Sequence, residues 1–231
     1  YSVAETRDGG YIAGGYFSSS IDLGNGVTLN NNGFTSYSDG MIIKYDSVGN
    51  AQWAKAIGGS YDDRINSVAE TRDGGYIAGG SFSSSSIDLG NGVTLNNNGT
   101  SRPDGMVIKY DSTGNARWAK VIGGSNNDYI YSVTETRDGG YIAVGYFYSN
   151  SIDLGNGVIL TNNGNYDGMI IKYNSAGNAR WAKAIGGSEE DQITSVTETS
   201  DGGYIAGGYF ESESIDLGNG VELNNKGSSD G

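Results

Sequence analysis

The stretch SVAETRDGGYIAGGYF, from Ser2 to Phe17, decides the fold because it returns three times, nearly unchanged, along the chain. The copies begin at Ser67, Ser132 and Ser195, so the period is 65 residues, 65 again and then 63. Such a period indicates an array of supersecondary units that bury their apolar faces against one another. We interpret the chain, 1–231, as one repeat array. The units run over 2–66, 67–131 and 132–194, with a partial fourth unit at 195–231.

Within a unit the pattern predicts short strands separated by turns, and no helical apolar period is present. The sequence of unit one also predicts a small hairpin at Ile21–Leu29, because Asn25-Gly26 lies between two β-prone runs. An acidic loop, Tyr61–Asp63, leads into the next unit. The four main strands predicted for unit one are Ser2–Thr6, Tyr11–Phe17, Met41–Tyr45 and Ala51–Ile57.

Tandem units of four antiparallel strands are typical of the blades of a β-propeller. The expected fold class is therefore all-β, a β-propeller with an extra hairpin in each repeat and about 3.5 blades in this chain. The Asp-Gly and Asn-Gly turns favour antiparallel meanders over the parallel coils of a β-helix.

Composition excludes several classes of function. The net charge is −13, so the average surface repels nucleic acid, and no apolar stretch is long enough for a membrane span. The chain has no Cys and no His, which removes disulfides, Cys-ligated metals and the commonest acid–base side chain. The lysines that recur inside apolar runs are expected on the blade surface: Lys44, Lys109, Lys172, Lys55, Lys120 and Lys183.

The segment DGMIIKYDSVGNAQWAKAIGGSYDD of unit one, with SV and DGGYI in the strands that follow it, resembles the SBBP repeats of bacterial and archaeal β-propellers. The Trp, the Gly-Gly-Ser, the Asp and the Asp-Gly-Gly-Tyr keep their spacing in three units. The resemblance implies a propeller in a secreted or cell-surface protein of a prokaryote. It carries no catalytic residue over to this chain. The IDLGNGVTL hairpin and the Asn-rich loop after it depart from the family pattern.

The hairpin tips are the first candidate sites. Asp22-Leu23-Gly24-Asn25-Gly26 offers oxygen atoms at alternating positions, as calcium loops do, although one carboxylate in each loop is few for a hard cation. The alternative is an Asx turn inside the hairpin. The calcium candidates are Asp22, Asp88, Asp153 and Asp216, and the ligand or interaction candidates at the same tips are Asn25, Asn91, Asn156 and Asn219. No cofactor other than calcium is expected.

A second recurring acidic position is Asp63, Asp128 and Asp191, which we interpret as a cap that accepts backbone N–H bonds rather than a metal ligand. The recurring tryptophans, Trp53, Trp118 and Trp181, are expected as largely buried core between blades, with sugar stacking as the alternative. Asn98-Gly99-Thr100 matches the glycosylation sequon.

The leading functional hypothesis is a non-enzymatic, extracellular or cell-surface scaffold that binds partners or itself. The near-identical units, the acidic surface and the absence of His and Cys favour it. The alternatives are a multivalent carbohydrate-binding propeller and, remotely, a glycan hydrolase that uses paired carboxylates.

The fourth unit stops before the strand that would match Met41–Tyr45, and the chain starts at Tyr1. We therefore expect either a longer polypeptide or copies that associate edge to edge or head to tail, as in a filament.

Overall fold

A computed structural model describes residues 1–32, 36–99 and 102–227 of the chain. All the regular elements in these ranges are β-strands. Among the same residues we find no helix that is long and apolar enough to cross a membrane. The strands in chain order are β1 (Ser2–Glu5), β2 (Tyr11–Phe17), β3 (Ile21–Asp22), β4 (Thr28–Leu29), β5 (Asp39–Tyr45), β6 (Ala51–Ile57), β7 (Asp63–Glu70), β8 (Tyr76–Phe82), β9 (Ser86–Asp88), β10 (Thr94–Asn96), β11 (Asp104–Tyr110), β12 (Ala116–Ile122), β13 (Asp128–Glu135), β14 (Tyr141–Phe147), β15 (Ser151–Asp153), β16 (Ile159–Thr161), β17 (Asp167–Tyr173), β18 (Ala179–Ile185), β19 (Asp191–Glu198), β20 (Tyr204–Phe210), β21 (Ser214–Gly218) and β22 (Val221–Asn224).

Twelve of these strands form three four-stranded antiparallel sheets, which repeat about 65 residues apart. The first sheet has the order β1-β2-β5-β6, the second β7-β8-β11-β12 and the third β13-β14-β17-β18. β19 and β20 form a two-stranded sheet. The first strands of successive sheets, β1, β7, β13 and β19, lie against one another along the array. The prediction of all-β structure with four main strands in each complete unit is therefore confirmed.

The predicted strand boundaries hold for β2 and β6 and need correction for the other two main strands. β5 begins two residues early, at Asp39, and β1 ends at Glu5. From the second sheet onward the first strand begins at the acidic residue that the sequence placed in a loop, because Asp63 N donates to Ser38 O at 2.7 Å. A bulge between Ile65 and Ser67 then changes the register.

The small hairpins form as predicted, one beside each sheet. Asn25 and Gly26 occupy the left-handed region, with φ of 53° and 76°, and Val27 N donates to Gly24 O at 2.9 Å. Positive φ at both central residues is the geometry of a type I′ turn, in which Asn-Gly is the preferred pair.

The apolar core lies between successive sheets, and isoleucines of the first strands fill it. Ile65 of β7 is fully buried against the first sheet, where Gly14 and Gly40 leave room for it. A Cβ on Gly14 would lie 2.8 Å from Ile65 Cγ2, and one on Gly40 would lie 3.2 Å from Ile65 Cγ1. Because a side chain at either glycine would displace the isoleucine, these two positions select glycine by close packing.

The same contact recurs between the later sheets. Ile130 of β13 lies over Gly79 and Gly105 of the second sheet, at 2.8 and 3.1 Å from the corresponding Cβ positions. In the third sheet a buried valine, Val144, stands where the others have glycine, and it belongs to the same core cluster as Ile193 of β19. An isoleucine of each first strand thus packs against the preceding sheet, and this contact recurs at each interface between neighbouring sheets, here called a seam.

We predict that Ile130→Ala lowers the free energy of unfolding by about 2–5 kcal/mol, because it leaves a cavity between two sheets. The matched control is Ile159→Ala, since Ile159 is 60% exposed on β16. Denaturant titration followed by tryptophan fluorescence measures both variants. Equal losses for the two variants would contradict the docking account.

Candidate functional site

The predicted calcium loops are Asx turns in the structure. Asp22 Oδ1 accepts a hydrogen bond from Gly24 N at 2.9 Å, and Asp88, Asp153 and Asp216 accept the equivalent bonds at 2.9, 2.8 and 2.7 Å. Among the described residues no group of three or more acidic side chains converges as a metal site. The four tips bring Asp and Asn together within each hairpin, with Asn25, Asn91, Asn156 and Asn219 at the left-handed turn positions.

The second acidic position is a buried hub of hydrogen bonds. Asp63 is fully buried, and its carboxylate accepts bonds from Gly59 N at 3.0 Å, Ser83 N at 3.0 Å, Ser84 N at 3.2 Å and Ser84 Oγ at 2.6 Å. Asp128 and Asp191 accept the same set in their units. These contacts agree with the interpretation of this position as a cap that accepts backbone N–H bonds.

A third buried carboxylate, which the sequence did not single out, lies close to each hub. Asp104 Oδ2 accepts a hydrogen bond from Asn98 N at 2.6 Å. The other carboxylate oxygen, Oδ1, is buried without a hydrogen-bond partner, and so is Oδ1 of Asp167. Burial raises the pKa of Asp104 to about 7 and that of Asp167 to about 6, and the neighbouring Asp128 and Asp191 carboxylates add to these shifts. Burial also raises the pKa of Asp63 to about 6 against its four hydrogen bonds.

One set of recurring lysines was wrongly placed on the surface. Lys44, Lys109 and Lys172 are buried on the third strands, where their ammonium groups bind Asp8, Asp73 and Asp138 at 2.9, 3.0 and 2.9 Å. Each ammonium also donates to the backbone carbonyl of the next residue. The Asp belongs to the Asp-Gly-Gly turn between the first two strands, so the pair fixes that turn to the third strand. The sequence reading failed because a lysine in an apolar run was assumed to point outward.

The prediction that the tryptophans are largely buried needs correction, because Trp53 and Trp118 are half-buried at the seams and Trp181 is exposed. Trp53 packs on Gly114 of the following sheet, where a Cβ would lie 3.0 Å from Trp53 Cε3, and its ring meets Tyr76 edge-on at 5.5 Å. Trp118 packs in the same way on Gly177 and on Tyr141. Trp181 is 36% exposed, and its ring lies 6.1 Å from that of Tyr204.

Trp53 and Trp118 each line one of two equivalent clefts between sheets. The cleft between the second and third sheets has a volume of about 490 Å³ and contains Trp118, Tyr141, Arg117 and Glu135 in its wall. The cleft between the first and second sheets measures about 790 Å³ and presents Trp53, Tyr76, Gln52 and Glu70. Aromatic edges beside amide, guanidinium and carboxylate groups can bind a polyol through stacking and hydrogen bonds.

Charged hydrogen bonds join the turns beside both clefts. Arg72 Nη1 donates to Arg137 O at 2.6 Å, and Arg72 N donates to Glu135 Oε2 at 2.7 Å. Arg7 makes the same two bonds, to Arg72 O and to Glu70. Each turn is therefore tied to the turn of the next unit.

The third unit carries a cluster of four tyrosines. Tyr129, Tyr131, Tyr146 and Tyr166, here called the tyrosine cluster, are all half-buried. Tyr146 lies at the centre, with ring centroids 4.9 Å from Tyr129, 5.6 Å from Tyr131 and 4.7 Å from Tyr166. The Tyr166 hydroxyl donates a short hydrogen bond to Glu190.

The second sheet carries no aromatic residue at these four positions. Pairing registers and backbone bonds make Arg64, Asn66, Ser81 and Pro103 the equivalents of the four tyrosines. Part of the cluster recurs in the first unit, where Tyr1 and Tyr16 take the places of Tyr131 and Tyr146 with ring centroids 5.3 Å apart. The third unit differs from the first two in having tyrosine at all four positions. Sequence reasoning missed the cluster because only recurring residues were weighed. Alignment of the units with one another, position by position, would have found it.

Thr100 of the Asn98-Gly99-Thr100 glycosylation sequon lies outside the described residues. Asp230 and Gly231 at the end of the fourth unit also lie outside them.

No family model matches the chain. A WD repeat-containing protein of Acanthamoeba polyphaga mimivirus, itself uncharacterised, is 31% identical over 142 residues, which are 57% of this chain and 10% of that protein. The regulatory protein FlaEY of Caulobacter vibrioides is 26% identical over 163 residues, which are 69% of this chain and 17% of that protein. The chain thus spans a small part of either relative. The two likenesses and the tandem sheets support a repeat protein of the β-propeller kind.

We predict that the folded protein becomes more stable as the pH falls from about 8 to about 5. Asp63, Asp104 and Asp167 have raised pKa values in the folded state, so in this window the folded chain binds more protons than the unfolded chain. Below about pH 4 the sign reverses, because hydrogen bonds from Thr136 and Lys172 lower the pKa of Asp138.

Calorimetry across this range measures the slope of Tm against pH. Asp104→Asn should reduce the slope, since the amide does not titrate while its oxygen can still accept the bond from Asn98 N. A Tm that rises with pH between 5 and 8 would contradict the prediction.

We also predict that Trp118→Ala is more destabilising than Trp181→Ala, by about 1–3 kcal/mol in the free energy of unfolding. The two residues have the same place in their units, but Trp118 packs on Gly177 of the next unit whereas Trp181 is exposed. Urea titration of both variants, monitored by far-ultraviolet circular dichroism, gives the comparison. Equal losses would show that the contact with Gly177 contributes nothing.

Proposed function

We propose that this chain is a β-propeller array that acts as a protein-interaction scaffold, with the tyrosine cluster as its specific binding surface. The observation that carries the proposal is the contrast between units. Residues that hold sheet to sheet recur, whereas tyrosine occupies all four cluster positions in the third unit, two of them in the first unit (Tyr1 and Tyr16) and none in the second. A specific partner needs a surface that differs between units, and half-buried tyrosines with an adjacent carboxylate suit one, since Tyr is enriched at interface hot spots.

The cluster is also prepared for binding at low entropic cost. Each ring is held by a neighbouring ring, and Tyr166 is further held by Glu190. Aromatic side chains that are already ordered lose little conformational freedom when a partner covers them. The proposal places the partner's contact where β13 begins and β14 ends, beside the hub Asp128 and away from the Asp-Gly-Gly turns.

The wider role proposed for the scaffold is structural and adhesive, outside the cell or on its surface, without catalysis. Its partners are then a surface protein or further copies of the chain. Polar hairpin tips, an acidic surface of net charge −13 and repeated seams support this role.

The test exchanges residues between units of the same chain. The variant Tyr129→Arg, Tyr131→Asn, Tyr146→Ser gives the third sheet the residues that the second sheet already accommodates at those positions, so the fold should be kept. The matched control is Tyr148→Ser, because Tyr148 is 39% exposed, lies outside the tyrosine cluster and has serine at its equivalent position, Ser83.

Protein ligands selected on the unmodified chain from a displayed library of folded extracellular domains are then measured against both variants. We expect the triple variant to lose at least tenfold in affinity for the dominant ligand class, and the control to bind within twofold of the original. Equal binding by all three proteins, or failure to select any protein ligand, would refute the proposal.

The second candidate is multivalent carbohydrate binding, which the clefts at Trp53 and Trp118 favour. Each cleft pairs an aromatic edge with hydrogen-bonding groups, and two weak equivalent sites gain by avidity. A glycan array with the unmodified chain and with Trp118→Phe tests it. Binding that falls with Trp118→Phe and is unaffected in the tyrosine triple variant would favour this candidate over the protein scaffold.

A further inference from the structure

At the seam between the first and second sheets, a cation of the chain itself covers a tyrosine ring. The guanidinium carbon of Arg64 lies over the Tyr16 ring, 4.9 Å from its centroid. At this distance the negative face of the ring attracts the guanidinium. A carboxylate lies close by: burial tends to raise the pKa of Asp62, but hydrogen bonds from Ser38 and the charge of Arg64 lower it on balance. This seam thus combines a ring, a cation and a carboxylate.

The seam between the third sheet and β19 repeats this arrangement except for the cation. Pairing registers place Gln192 of β19 where β7 has Arg64. By the repeat period Glu190 has the place of Asp62, and Tyr146 has that of the tyrosine in the first sheet. The ring and the carboxylate are therefore kept, while a neutral amide stands at the arginine position.

The ring and the carboxylate at this seam can accept a cation from outside the chain. Tyr146, Tyr166 and Glu190 are half-buried and retain some exposed surface. Among the described residues, no lysine or arginine lies over either ring. The two Glu190 oxygens accept one hydrogen bond each, from Asn165 Nδ2 at 3.0 Å and from the Tyr166 hydroxyl. Since a carboxylate has about four acceptor positions, Glu190 can accept further bonds from a guanidinium.

We propose that the tyrosine cluster is a site for a guanidinium group, carried by an arginine of the partner protein, which contacts the Tyr146 and Tyr166 rings and pairs with Glu190. The inference rests on the proposed function, because it specifies the partner's chemistry at that same surface. Arg64 over Tyr16 is the intramolecular example of the contact. Arginine suits the site better than lysine, because a planar guanidinium can stack on a ring and still donate to a carboxylate. The net charge of −13 also favours the approach of a basic segment.

NMR titration of the full chain with blocked amino acids tests this chemistry without a partner protein. The probe is N-acetyl-arginine amide, and the control is N-acetyl-citrulline amide, which has nearly the same shape and no charge. We expect the arginine probe to shift ring signals of the tyrosine cluster and to bind at least fivefold more tightly than the citrulline probe. Equal binding of the two probes, or no binding of the arginine probe, would overturn the inference.

Three chain variants locate the site. Glu190→Gln removes the charge that pairs with the guanidinium, and Gln192→Arg supplies an arginine from the chain at the position that Arg64 has in the first seam. Each should weaken binding of the arginine probe at least threefold. The matched control Glu189→Gln removes the same charge from the exposed neighbouring side chain and should change binding less than twofold. Equal effects of the two glutamate changes would show that net charge, and not this site, attracts the probe.

Protein ligands selected on the unmodified chain separate this inference from the proposed function. Replacing the arginine of such a ligand at the contact by glutamine should weaken its binding at least tenfold. Ligands that depend on the tyrosine cluster but contact it without arginine would overturn the inference and leave the protein scaffold in place. If the arginine probe binds as expected and no protein ligand can be selected, the proposed function fails while the guanidinium site stands.

Discussion

The contact on which the rest of the structure depends is the isoleucine of each first strand lodged over glycines of the preceding sheet. A four-stranded sheet alone has two faces to cover, and this contact lets neighbouring units cover them for each other. Ile65 and Ile130 are fully buried by it. At Gly14 and Gly79 of the receiving side a Cβ would lie 2.8 Å from the isoleucine, so glycine lets the sheets approach closely there. Where valine replaces glycine at Val144, the seam still closes, because the valine packs against Ile193.

Polar groups organise the two ends of this apolar seam in different ways. At the Asp-Gly-Gly end, buried lysines fix the turns within each unit, and exposed arginines tie each turn to that of the next unit. At the opposite end, the hubs Asp63, Asp128 and Asp191 accept backbone N–H bonds from two separate loops and so join those loops. Both ends are built from residues that recur, so they form the scaffold. The third unit adds the full tyrosine cluster to that scaffold, while the first unit carries two of its members, Tyr1 and Tyr16.

Much of the fold could be predicted because the repeat period and the turn-forming residue pairs can be read from the sequence. Asn25-Gly26 can form one kind of tight turn, and the four strands follow from the spacing of such turns. The burial of Lys44 could not be predicted, because its partner Asp8 lies 36 residues away and becomes a neighbour only in the sheet. The early start of β7 was missed for a similar reason, since its cap bonds join Asp63 to Ser84, 21 residues further on. The candidate sites at the hairpin tips could be found in the sequence because their residues are consecutive. The tyrosine cluster could not, because its residues lie on separate strands and become neighbours only in the folded sheet.

The central claim is that each sheet is stabilised by its neighbours rather than by its own hydrogen bonds. Hydrogen–deuterium exchange with mass spectrometry tests it directly, since β2, β8, β14 and β20 have nearly the same sequence and differ in what lies on either side. The account predicts the slowest exchange in β8 and β14, which have neighbouring strands of other sheets on both faces. It predicts faster exchange in β2, which is hydrogen-bonded on both edges as they are but has a sheet against one face only among the described residues. Equal protection of β2 and β8 would contradict it.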